Sequence, residues 1–164
     1  MGMRRRRSGE LVIEQTRDVA AVRAFLERAG MSARGVDWPP ACFVAAYLGD
    51  EPIGIVGVEC KLDSALIHSL HVAEQHRRRG IGAGLVSAAR KAAHTRGARM
   101  LYLFADPELR GFFERLGFSE VASERPMNDL RTAPEAEYYR AHPDELARRC
   151  ALALDISNDG LIAR

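Results

Sequence analysis

The sequence predicts an α/β fold of the mixed (α+β) kind, a sheet with antiparallel and parallel strands flanked by helices. Three observations predict it. Short runs of strand-forming residues come early, at Cys42–Leu48, Ile53–Cys60 and Ala65–Val72, separated by tight turn signals. The apolar spacing then changes to a helical one over Gly82–Arg96. Beyond that point strands and helices alternate, the pattern of crossover connections between parallel strands.

Taken in order, Leu11-Val12-Ile13 reads as a short opening strand. From Thr16 to Ala29, Val19, Val22, Phe25 and Leu26 mark one helical face, closed by Gly30. Ser32 to Pro40 reads as a loop punctuated by Gly35, Pro39 and Pro40. Cys42–Leu48 and Ile53–Cys60 flank the turn Gly49-Asp50-Glu51-Pro52 and are expected to pair antiparallel. Lys61-Leu62-Asp63 turns the chain into the third run, Ala65–Val72. Within Gly82–Arg96, Leu85, Ala88, Ala89 and Ala92 form one buried stripe, Arg90, Lys91 and Arg96 lie away from it, and Gly97 stands where a C-cap glycine belongs. Leu101–Phe104 is nearly continuously apolar, as in a strand covered on both faces. Asp106 is expected to cap a helix with Pro107 at its first position, closing at Gly117 before a strand over Phe118–Ala122. Pro134–Arg149 reads as helical with an interruption at Pro143, and Ala151–Ile156 as a last strand.

With 164 residues the chain has the length of one domain, expected over residues 10–164 after a flexible basic N-terminus over residues 1–9. Its 47% hydrophobic and 28% charged residues exclude global disorder. A formal net charge of +2 excludes a dedicated nucleic-acid binder, which carries a larger, clustered basic excess. The run Arg4-Arg5-Arg6-Arg7 reads as a solvated terminus. Cys42, Cys60 and Cys150 are an odd count without CxxC spacing, which argues against a disulfide framework and a zinc site and suits a reducing cytoplasm. No apolar run approaches the roughly 20 residues that span a bilayer. Met1–Arg7 lacks the apolar segment of a signal peptide, so a cytoplasmic location without membrane partners is expected.

The informative stretch runs from Leu70-His71-Val72 through Arg77-Arg78-Arg79-Gly80-Ile81-Gly82-Ala83. It joins a strand end to a helix start, where unpaired backbone N–H groups and the positive end of the helix dipole favour an anion. Gly80 and Gly82 remove side chains where phosphates approach the backbone, and the three arginines add positive charge. The stretch is neither a Walker A loop nor a GxGxxG fingerprint.

Arg77-x-x-Gly80-x-Gly82, following the strand end Leu70-His71-Val72, matches the Arg/Gln-x-x-Gly-x-Gly/Ala signature of the GNAT superfamily of N-acetyltransferases. Downstream, Gly111-Phe112-Phe113-Glu114-Arg115-Leu116-Gly117-Phe118 resembles that family's aromatic helix end. The resemblance covers Leu11 to Val121 well and the tail loosely. It implies a GNAT-type splayed sheet in which two neighbouring parallel strands separate. It implies acetyl-CoA as cosubstrate, no metal, and direct attack of an amine on the thioester. The strand residues Leu70, His71 and Val72 would meet the pantetheine arm, and Arg77, Arg78, Arg79, Gly80, Ile81, Gly82 and Ala83 the pyrophosphate.

An attacking amine must lose a proton near neutral pH, and two residues qualify as the base. His68 lies four residues before Val72, and some family members carry histidine at this point of the strand. Glu59, at the end of the neighbouring strand, is the alternative, acting through water. His71 alternates to the opposite strand face from His68 unless a bulge intervenes, and ranks lower. The family frequently has tyrosine where Phe113 stands, to protonate the leaving thiolate; here water, Tyr138 or Tyr139 would have to serve. Cys60 and Cys150 lack a partnered histidine at a recognised spacing and read as packing residues rather than nucleophiles.

Leu66–Val72, Leu101–Phe104 and Phe112-Phe113 are most similar to a subgroup acting on small amino-acid-like amines, including N-acetylglutamate synthase-like proteins and arsinothricin- and phosphinothricin-inactivating N-acetyltransferases. Arg125 and Arg131 are candidates for an acidic group of such an acceptor. Two other readings stay open: an acetyl-CoA-binding sensor without turnover, and an acetyltransferase acting on protein or peptide amines. Dimers are common in the family, which leaves a homodimer open, with residues 126–164 as a dimer or acceptor element.

Overall fold

The computed structural model describes residues 5–36 and 42–161. Among the described residues, seven strands run in the sheet order β1-β2-β3-β4-β5-β7-β6. They are β1 (Leu11–Thr16), β2 (Cys42–Leu48), β3 (Glu51–Lys61), β4 (Ser64–Val72), β5 (Met100–Ala105), β6 (Ser119–Val121) and β7 (Cys150–Asp155). The helices among the described residues are α1 (Val19–Arg28), α2 (Ile81–Thr95), α3 (Arg110–Arg115), α4 (Glu124–Leu130), α5 (Pro134–Ala141) and α6 (Pro143–Leu146). The sheet is mixed and flanked by helices, as the alternation of periods predicts. Pro39, Pro40 and Arg4 lie outside the described residues.

The chain divides into two compact units, one of residues 1–57 with 69–89, the other of residues 58–68 with 90–164. In the first, β1 pairs antiparallel with β2 from Leu11 opposite Leu48 to Thr16 opposite Phe43. Helix α1 forms because Asp18 accepts a hydrogen bond from the Ala21 N–H at its start, and its apolar face has somewhere to go. That face, Val22, Phe25 and Leu26, is buried with Val36, Phe43 and Ile55. Burying each such side chain contributes on the order of 1.5–3 kcal/mol. Within the expected solvated terminus Arg6 is an exception: it is ion-paired with Glu14, and its guanidinium lies 3.5 Å from the centroid of the Tyr47 ring.

In the second unit β5 pairs antiparallel with β7 along its whole length, from Met100 opposite Asp155 to Ala105 opposite Cys150. The parallel ladder between β4 and β5 is short, joining Ser64–Leu66 to Met100–Tyr102. Ile67 and His68 continue β4 beyond it. Leu66, Tyr102, Leu130, Ala133, Ala136 and Ala153 form the core on which α4 and α5 pack.

Two expectations need correction, and one element was not anticipated. The segment after Asp106 opens as a 3-10 turn, Pro107–Leu109, and becomes α-helical only at Arg110. Asp106 makes no cap bond, because its carboxylate is taken by the guanidinium of Arg149. Helix α4 escapes sequence reading altogether: Pro126, Asn128 and Asp129 are weak helix formers, and the helix exists because Pro126 and Leu130 are buried. Pro126 is tolerated there because it falls in the first turn, where backbone N–H groups have no helical partner. The interruption at Pro143 falls where expected, between α5 and α6.

Candidate functional site

In the first unit β4 ends at Val72 and hands over to a turn built almost wholly from main-chain bonds. The Ala73 N–H donates to the Ile53 carbonyl of β3 at 2.8 Å. A 3-10 turn, Glu74–His76, follows, with His76 N–H bonding to Ala73 O (2.9 Å) and Arg77 N–H to Glu74 O (3.2 Å). Arg77 returns to extended backbone, and its side-chain Nε donates to the Val72 carbonyl at 2.9 Å. Arg78 and Gly80 both take left-handed conformations, φ 62° and 76°. For Arg78 this conformation costs on the order of 1–3 kcal/mol. A side chain at Gly80 would meet nothing within 4 Å, so glycine is there for its φ and the space in front of it is open.

Helix α2 closes its first bond from Gly84 N–H to Gly80 O at 3.0 Å. The N–H groups of Ile81, Gly82 and Ala83 therefore precede the helical ladder, at the positive end of the dipole. Two further glycines hold that end in place. A Cβ on Gly54 of β3 would lie 3.0 Å from Leu85 Cδ1 and 3.3 Å from the His71 carbonyl. One on Gly84 would lie 2.7 Å from Ile13 Cδ1. Absence of side chains at both points lets α2 lie directly on the strands. Arg77, Arg78 and Arg79 are exposed, and no carboxylate interrupts Arg77–Ala83. Amides at a helix start with guanidiniums beside them form a donor set suited to a diphosphate.

His71 belongs to this unit and packs edge-on against Phe25 of α1, ring centroids 6.0 Å apart. Burial, followed by the charge of Arg77, pushes its pKa below the ordinary histidine value, which favours the neutral ring. Ser69 has φ 55°, a left-handed residue inside β4 that breaks the alternation between His68 and His71.

In the second unit the two candidate bases come together. His68 Nε2 on β4 lies 3.4 Å from Glu59 Oε1 on β3, with side chains only 6% and 9% exposed. A buried carboxylate beside an imidazole orients the ring.

The remaining candidates are placed as follows. Phe113 is buried between the rings of Phe112 (5.0 Å) and Phe118 (5.7 Å). The Tyr138 hydroxyl donates to Glu145 Oε2 at 2.6 Å. Tyr139 packs on Phe104 at 4.9 Å, and burial pushes its pKa up to about 12. Cys42 and Cys150 are buried and Cys60 half-buried, all as thiols. Arg125 lies 5.9 Å over the Tyr102 ring, and Arg131 is exposed, its carbonyl accepting a bond from Arg140 Nη2 at 2.9 Å. Sequence reading missed the polar side of Tyr102: its ring is fully buried on β5, its hydroxyl bonds to Asp129, and burial raises its pKa to about 12. A tyrosine inside an apolar run is the available signal, since a buried hydroxyl must find a partner. No group of His, Cys, Asp or Glu arranged to hold a metal ion occurs among the described residues, and no helix among them is long and apolar enough to cross a membrane.

Comparison with known proteins adds the family. A profile described as an acetyltransferase (GNAT) domain matches residues 39–120, half of the chain. The chain is similar to the "Uncharacterized N-acetyltransferase MJ1207" of Methanocaldococcus jannaschii, with 34% identity over 88 residues, covering 48% of this chain and 39% of that protein. Among solved structures, Rv2747 from Mycobacterium tuberculosis in complex with CoA superposes with a TM-score of 0.69 at 16% identity, covering 88% of this chain and 98% of that one. N-acetylglutamate synthase from Neisseria gonorrhoeae, complexed with coenzyme A and N-acetyl-glutamate, gives a TM-score of 0.64 at 18% identity, covering 91% of this chain and 36% of that one. The chain thus spans well under half the length of the archaeal relative and of the synthase. The profile match takes in β3, β4 and the whole turn from Arg77 to Ala83, and the chain belongs to the GNAT acetyltransferase family.

Proposed function

We propose that the chain is an acetyl-CoA-dependent N-acetyltransferase that acetylates the primary amine of a small, amino-acid-like molecule by direct attack on the thioester. In this reading the turn that Arg77 opens presents the amides of Gly80–Ala83, with Arg78 and Arg79 beside them, to the diphosphate of the cosubstrate, and Leu70, His71 and Val72 offer the edge of β4 to its pantetheine arm. Glu59 and His68 deal with the proton. A primary amine is largely protonated at neutral pH, so it must be deprotonated before it attacks. The pair takes up that proton and shares it across the 3.4 Å gap between Nε2 and Oε1.

The observation that carries the catalytic reading over a purely binding one is the burial of this pair. Keeping a carboxylate and an imidazole out of water is costly, and a module that only binds a nucleotide arm has no use for them. An amino-acid-like acceptor is supported by the fold likeness to a synthase whose structure holds N-acetyl-glutamate.

The test is incubation of the purified protein with acetyl-CoA and a panel of amino acids, aminoglycosides, polyamines and peptides, following thiol release. Release that depends on one small amine is the expected result. Tight CoA binding with no release on any acceptor would replace this reading with a sensor, and release confined to peptides would move the substrate to protein amines.

A further inference from the structure

Arg77 opens the arginine run of the turn, and its side chain is not arranged like a phosphate ligand. Its Nε donates back to the carbonyl of Val72, 2.9 Å away. The same peptide unit carries the Ala73 N–H, which donates to Ile53 O at 2.8 Å. The peptide that leads off β4 is therefore held at both ends, by β3 through its N–H and by Arg77 through its oxygen. Everything that follows, the 3-10 turn, the left-handed Arg78 and Gly80 and the exposed amides of α2, hangs from that peptide. Rotating it would swing the amides away from a common point. The neighbouring Arg78 and Arg79 are exposed.

We propose that Arg77 is a positioning residue, whose Nε–H fixes the Val72–Ala73 peptide and so aims the amides of Gly80–Ala83, while the charge offered to phosphates comes from Arg78 and Arg79. The inference rests on the reading of this turn as the diphosphate site. It has a sharp stereochemical consequence. Glutamine places an amide nitrogen the same number of bonds from the backbone as arginine Nε, so Arg77→Gln keeps the donor and deletes the charge. Arg77→Lys does the reverse, keeping the charge and placing a carbon where Nε stood.

The experiment is titration of CoA into wild type, Arg77→Gln, Arg77→Lys, Arg78→Gln and Arg79→Gln at low and high salt, with circular dichroism to confirm folding. The expected result is that Arg77→Gln binds within about twofold of wild type with the same salt dependence, while Arg77→Lys loses about tenfold, the scale of one hydrogen bond to a charged donor. Arg78→Gln and Arg79→Gln are expected to weaken binding and flatten its salt dependence, because they remove screened charge. In kinetics the Arg77→Lys defect is expected in KM for acetyl-CoA, with kcat and KM for the acceptor unchanged. Wild-type affinity in Arg77→Lys combined with a weak, salt-insensitive Arg77→Gln would overturn the proposal, as would wild-type behaviour in both. Failure of the wild type itself to bind CoA would instead remove the diphosphate reading on which it rests.

Discussion

The turn at Arg77–Ala83 and the pair Glu59–His68 use different parts of the chain. The turn is exposed and, in the proposed reading, would work through backbone N–H groups, so its identity lies in φ angles and in where side chains are missing. The pair is buried and, in the proposed reading, would work through two side chains that meet across neighbouring strands. The difference separates what each tolerates. A backbone site survives exchange of most side chains but not a change of backbone geometry, whereas a buried pair fails with either member and leaves the other charge without its partner.

The largest effect is therefore expected at the pair. Glu59→Gln and His68→Ala should each lower kcat by about 10²- to 10⁴-fold, the usual scale for a general base, with KM for acetyl-CoA within about twofold of wild type. The double variant should lose no more than the worse single one, because the two act as a unit. Steady-state kinetics on protein shown to be folded checks this, and either single variant keeping a third of wild-type kcat would break the comparison.

Next comes Gly80→Ala. With φ 76° and open space in front, the cost is strain alone. At about 1–2 kcal/mol, KM for acetyl-CoA should rise about tenfold while kcat stays unchanged. Arg78→Gly should do something different at the neighbouring left-handed position: melting temperature should hold or rise as the strain at φ 62° is relieved, while CoA binding weakens as the charge goes. A calorimetric scan beside a CoA titration separates the two effects.

The smallest effects are in pH, and the two units should differ in sign. In the first, His71 has its pKa lowered by burial and then by Arg77. Its neutral ring contributes stability that is present above the ordinary histidine pKa of about 6.5 and lost as pH falls through the lower folded value. In the second, Tyr139 and Tyr102 are pushed up to about 12, by burial in both cases. Their contribution is present below the ordinary tyrosine pKa of about 10 and lost as pH rises through about 12. Denaturant midpoints across pH 5 to 11.5 should fall at both ends, with Tyr139→Phe reducing only the alkaline loss and His71→Phe only the acid loss.

How much of this was legible in the sequence follows the same division. The turn was readable because its chemistry is local: consecutive arginines and glycines spaced around a helix start. The strands were readable because short turns set them off, and Gly97 and Gly117 stand at positive φ where chain reversals demand glycine. Glu59 and His68 were each readable as candidates, from residue type and place on a strand. Long-range partnerships were not. Asp106 looked like a helix cap until Arg149, 43 residues away, claimed its carboxylate. Tyr102 looked like one more apolar strand residue until Asp129, 27 residues away, met its hydroxyl from a helix that propensity does not favour. Tertiary burial decided both, and no local pattern encodes it.

Amide NMR of the 15N-labelled protein, titrated with CoA and then with pantetheine, bears most directly on the central claim. Large shifts at Gly80, Ile81, Gly82 and Ala83 with CoA, and none of that size with pantetheine, are the expected outcome, because only CoA brings a diphosphate to those N–H groups. Binding of CoA that leaves the four amides unmoved would contradict it.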